Sequence, residues 1–101
     1  MQIITQQQSI RLWILYKTNG WPVTGRTDIK VRIIDQSGTE ILAATIMTET
    51  TVPGEYAYTW NTGSIAYGTQ YFIYYIQDTT VLTIEEMYSD MLGDNGDGRA
   101  F

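Results

Sequence analysis

Along most of the chain, β-branched and aromatic residues recur at every second position, in short runs separated by turn residues. Residues 3–7 form the first run. In residues 9–17, Ile10, Leu12, Ile14 and Tyr16 alternate with Arg11, Trp13, Leu15 and Lys17. Residues 18–25 hold two glycines and a proline and read as a loop. In residues 28–36, Ile29, Val31 and Ile33 oppose Lys30, Arg32 and Ile34, and a tight turn over 36–39 leads into a run over 40–47. Pro53-Gly54 opens residues 55–61, where Tyr56, Tyr58 and Trp60 share one face. Residues 69–77 and 80–86 are two further runs joined by a hairpin at Gln77-Asp78-Thr79. Residues 85–92 fit either a strand or a helical turn.

A period of two with almost no helical periodicity predicts an all-β protein, an antiparallel two-sheet sandwich of about seven strands. The length allows one domain. The expected division is an N-terminal arm or edge strand over 1–8, the sandwich over 9–92, and an irregular acidic C-terminal tail over 93–101.

Several runs are apolar on both faces. With Ile10, Leu12 and Ile14 inward, Trp13 and Leu15 point outward. With Tyr71, Ile73 and Tyr75 inward, Phe72, Tyr74 and Ile76 point outward, and Ile34 behaves likewise. Leu42 and Ile46 are expected to oppose Ile41 and Met47. A solvated sheet face reads polar at its outward positions, so these residues mark either a protein contact or a surface covered by the arms. The expected contact residues are Trp13, Leu15, Ile34, Phe72, Tyr74 and Ile76, with Arg99 against an acid and Phe101 as an apolar anchor in the tail. The Ile3-Ile4 arm is expected to add a strand to a sheet edge, its own or a neighbour's.

The chain has no cysteine and no histidine, which removes disulfides, Cys/His zinc sites and imidazole acid–base chemistry. Ser9, Ser37, Ser64 and Ser89 sit in no nucleophile motif, and Glu85 and Glu86, adjacent on a strand, point to opposite faces. No enzyme is expected, and no cofactor. Gly93-Asp94-Asn95-Gly96-Asp97-Gly98 resembles part of a calcium loop, but a glycine stands at the first ligand position and the bidentate glutamate is missing. No metal site is expected. A net charge of −5 and a pI near 4.3 argue against nucleic acid or an anionic membrane as partner. The charge is uneven: residues 1–32 carry five cations and one acid (5 − 1 = +4), residues 33–101 one cation and ten acids (1 − 10 = −9). Trp21, in the Pro/Gly loop, is expected either to cap the core or, with Tyr67, to stack on a sugar face.

Gly54-Glu55-Tyr56-Ala57-Tyr58-Thr59-Trp60, followed by Tyr67-Gly68-Thr69-Gln70-Tyr71, resembles the Gly-x-Tyr-x-Tyr pattern of immunoglobulin-like domains in phage virion and bacterial surface proteins. Asn19-Gly20-Trp21-Pro22-Val23-Thr24-Gly25 is similar to the loop entering the third strand of those domains. The resemblance covers residues 9–77 and lacks the inter-sheet Cys pair of antibody domains. It implies an immunoglobulin-like sandwich and a virion context, and it carries over no functional residue. With a start at Met1 and no signal sequence, it leads to the expectation of a non-enzymatic structural protein made in a host cytoplasm. Such a protein decorates or cements a phage capsid, or joins a tail, touching other virion subunits or further copies of itself. The other expectation is a carbohydrate-binding surface module using Trp21 and Tyr67.

Overall fold

The computed structural model describes residues 2–4, 9–62 and 68–89, and these form only strands and turns. In chain order the strands are β1 (Gln2–Ile4), β2 (Ser9–Leu15), β3 (Lys17–Thr18), β4 (Trp21–Pro22), β5 (Ile29–Asp35), β6 (Glu40–Ile46), β7 (Thr48–Glu49), β8 (Glu55–Asn61), β9 (Thr69–Gln77) and β10 (Thr80–Ser89). A five-stranded sheet has the order β1-β10-β9-β5-β6, and a three-stranded sheet the order β2-β8-β7. All pairings are antiparallel except β1 with β10, where Gln2, Ile3 and Ile4 stand beside Met87, Tyr88 and Ser89.

The two sheets share one core. Leu12, Tyr56 and Trp60 enter it from the small sheet, and Ile29, Val31, Ile33, Tyr71, Ile73, Tyr75 and Met87 from the large one. These are the alternating inward positions of β2, β8, β5 and β9, so a period of two in the sequence becomes one buried face per sheet. Met47 joins the core where the chain leaves β6 for β7 and changes sheets; its amide donates to the Ile29 carbonyl at 2.7 Å.

Four local readings are changed or resolved. Residues 18–25 are not simply a loop: Lys17 and Thr18 pair with Pro22 and Trp21 across Asn19-Gly20, both at positive φ (53° and 81°). That is the two-residue hairpin turn Asn-Gly favours, because both central positions need the left-handed region. Residues 85–89 are strand, the end of β10. Leu42 and Ile46 do not share a face, since Leu42 stands beside core-facing Ile33 and Ile46 beside outward Lys30. Between Leu42 and Thr45 β6 carries one residue more than β5, a bulge that inverts the alternation. Finally, Trp21 does not cap the core; it is 76% exposed.

Candidate functional site

On the small sheet, the β2–β8 register sets Arg11 beside Thr59, Trp13 beside Ala57 and Leu15 beside Glu55. Ala57 is too small to cover an indole. Trp13 and Leu15 are accordingly 49% and 44% exposed. The Arg11 guanidinium crosses the Trp13–Ala57 pair to reach Glu55 Oε1 at 2.7 Å. The Thr50 hydroxyl, donating to the same oxygen at 2.6 Å, and then Arg11 hold the Glu55 carboxyl below its ordinary range.

The outer face of the large sheet lies on the opposite side of the sandwich. Its register gives three rungs: Lys30–Ile76–Val81, Arg32–Tyr74–Ile84 and Ile34–Phe72–Glu86. Ile34, Phe72, Tyr74 and Ile76 are half-buried, flanked by strands on either side, whereas Val81, Ile84 and Ile46 are about half exposed. Arg32 Nε donates to Glu40 at 2.6 Å, and the Gln70 side-chain Nε2 to Glu86 at 2.9 Å.

A third feature is the Trp21 hairpin. Its base is tied down: the Val23 amide donates to the Tyr16 carbonyl at 2.9 Å, and the buried Tyr56 hydroxyl donates to the Val23 carbonyl at 2.8 Å. That hydroxyl also accepts from the Arg26 amide at 3.1 Å, while Glu49 accepts from the amides of Gly25 (2.8 Å) and Gly54 (3.3 Å). Gly54, at φ 81°, has no room for a side chain, because a Cβ there would lie 2.8 Å from that of Pro22 and 3.0 Å from the Tyr16 carbonyl oxygen. Close by, Arg26 grips Asp28 with two hydrogen bonds of 2.9 and 2.5 Å, and Gln77 adds a third at 2.9 Å. These bonds lower the Asp28 carboxyl to about 2.

The expected contact residues therefore fall into two surfaces. Trp13 and Leu15 lie on one outer face, and Ile34, Phe72, Tyr74 and Ile76 on the other. Arg99, Phe101, Tyr67 and the Gly/Asp-rich segment 93–98 lie outside the described residues. The residues missed on the large sheet are Val81 and Ile84. Leu82 is an extra residue in a bulge of β10, so the run Val81-Leu82-Thr83-Ile84 shows no clean alternation.

Glu85 and Glu86 do point to opposite faces. Glu85 faces inward and is more than a solvated charge, since the Tyr75 hydroxyl donates to it at 2.8 Å. Burial first, and then this carboxylate, push the Tyr75 hydroxyl far above its usual range. A shallow hollow of about 340 Å³ lies between β7 and β8, lined by Thr48, Glu49, Thr50, Ala57, Tyr58 and Thr59. Among the described residues no three acids are grouped to hold a metal ion. No protein-family model, curated protein or solved structure matches the chain.

Proposed function

We propose that this chain is a non-enzymatic structural protein of a virion, decorating or cementing a capsid or joining a tail, and that it works through protein–protein contacts of its outer sheet faces. The observation that carries the reading is that each sheet leaves apolar side chains on its solvent side: Trp13 and Leu15 on one, Val81 and Ile84 beside Phe72 and Tyr74 on the other. A lone molecule gains nothing from half-exposed tryptophan and isoleucine, whereas a subunit set between neighbours buries them. Two opposed surfaces suit a cement, because one can face the particle while the other meets a further subunit. The virion context rests on the resemblance of the Gly54–Trp60 and Asn19–Gly25 segments. An immunoglobulin-like identity for the sandwich belongs to this proposal as well. The test is co-sedimentation of the full chain with virions of its source. Binding is expected for the wild type and a loss of at least ten-fold for Trp13→Ser; equal binding of the two, or none, overturns the role assigned to this face.

A carbohydrate-binding surface module is the second reading. It is favoured by one observation, the exposure of Trp21 on a hairpin whose base is hydrogen-bonded in place, since a fixed, open indole can stack on a pyranose ring. Glycan-array binding that disappears in Trp21→Ala with the fold retained supports it; an array with no binding removes it.

A further inference from the structure

The outer face of the large sheet carries a charge pattern that its apolar content alone does not require. In the three rungs described above, Lys30 and Glu86 occupy opposite corners of a three-by-three grid centred on Tyr74, and Val81 and Ile34 occupy the other two corners. Among the described residues Lys30 forms no ion pair, and Glu86 accepts only from the neutral Gln70 amide. Arg32, the other cation of the grid, is already tied to Glu40. Among the described residues of the grid, one cation and one anion thus lack a partner of opposite charge, and they are placed diagonally across an apolar centre.

Such a pattern is complementary to itself. A two-fold axis lying between two stacked faces, along the Ile34–Val81 diagonal, seats Tyr74, Ile34 and Val81 against their own copies. The same operation brings Lys30 of each copy to within roughly 6 Å of Glu86 of the other in projection, a gap the long lysine side chain spans. The strands of the two sheets then cross steeply, toward the orthogonal class of sheet packing. An isologous contact of this kind closes at two subunits.

Resting on the proposal that the outer faces are contact surfaces, we infer that the large-sheet face binds a second copy of this chain, with reciprocal Lys30–Glu86 pairs framing an apolar centre at Tyr74. Four strands spaced about 4.8 Å and seven residues rising about 3.4 Å each give this face a flat area of roughly 450 Å². That falls short of the roughly 800 Å² per partner of a standard interface, so the dimer is expected at the weak, micromolar end.

The test is sedimentation velocity on the full chain, from low micromolar to half-millimolar, for the wild type, Lys30→Glu, Glu86→Lys and the double exchange. Thermal unfolding of each isolated variant verifies that the fold is kept. Lys30→Glu takes the net charge from −5 to −7, Glu86→Lys takes it to −3, and the double exchange returns it to −5. If only overall repulsion mattered, Glu86→Lys would strengthen association. The reciprocal pairs demand instead that both single variants weaken it by at least ten-fold and that the double exchange recovers it to within about three-fold of the wild type.

A wild type that stays monomeric throughout overturns the inference. So does a dimer indifferent to the single exchanges, or one the double exchange fails to restore. None of these results touches binding to the virion through Trp13. Conversely, a dimer with this charge behaviour and no virion binding leaves the inference standing and removes the virion reading.

Discussion

Trp60 of β8 and Tyr71 of β9 meet edge to face across the two sheets, with ring centroids 5.4 Å apart and planes inclined by 73°. Both are almost fully buried, and each belongs to the alternating apolar face of its strand. The contact joins the layers toward one end of the core, at the penultimate residue of β8 and the third of β9, where the quadrupoles of two rings favour this inclined geometry. Replacing Trp60 by Ala removes the largest side chain of the small sheet from the core. A loss of about 3–5 kcal/mol is expected. Urea unfolding followed by circular dichroism measures it, and a loss under about 1 kcal/mol would mean that the Trp60 ring is not packed in the core.

Gly54 offers a sharper steric test. It occupies the left-handed region and lies against Pro22 and the Tyr16 carbonyl, whereas Gly38, at φ 89°, has open space around it. Gly54→Ala therefore adds a collision to backbone strain, and Gly38→Ala adds strain alone. Destabilisation of about 2 kcal/mol or more is expected for the first and about 1 kcal/mol for the second. Equal losses would mean that the Pro22 contact is not tight in solution.

Tyr56 links the core to the Trp21 hairpin through a single hydroxyl that donates to Val23 and accepts from Arg26. Tyr56→Phe keeps the ring packed and removes both bonds. A loss of about 1–3 kcal/mol is expected, with faster amide hydrogen exchange at Arg26 and little change at Ile33 or Ile73. Uniformly faster exchange would show that the bonds support the whole sandwich rather than the hairpin.

Asp28 sets an acid dependence. Its carboxyl is lowered to about 2 by Arg26, then Gln77, against an ordinary value of 3.8. A carboxyl with a depressed folded-state pKa stabilises the fold fully above its unfolded value, and that contribution is lost as pH falls toward the folded one. Stability should therefore decline between about pH 4 and pH 2, and Asp28→Asn should flatten part of that decline. Asp35 and Glu55 are lowered as well, so a residual slope is expected in the variant. Urea midpoints taken across this range provide the check; identical slopes in wild type and variant contradict the assignment.

The strand framework was legible where alternation is strict and bounded by turn residues. β8 and β9 lie between Pro53-Gly54, Gly68 and Asp78, and both match the expected runs residue for residue. Reading failed where two residues suffice for an element. The arms of the Asn19-Gly20 hairpin are too short to show a period, so the segment looked like a loop and Trp21 like a cap. It failed again at the bulges of β6 and β10, where an extra residue inverts the faces of everything beyond it. Alternation also identified Trp13, Leu15, Phe72 and Tyr74 as outward residues. It could not say that they form two opposed surfaces, because that follows from which strand joins which sheet.

Under the proposed function the outer sheet faces are contact surfaces of an assembled virion. Electron microscopy of virions from the chain's source measures this most directly, comparing particles assembled with the wild type and with Trp13→Ser. Density for a two-layer β domain is expected on the wild-type particle, with the Trp13–Leu15 face against a neighbour, and that density is expected to be lost in the variant. Virions that lack this chain, or that carry it with the Trp13–Leu15 face open to solvent, overturn the proposed role.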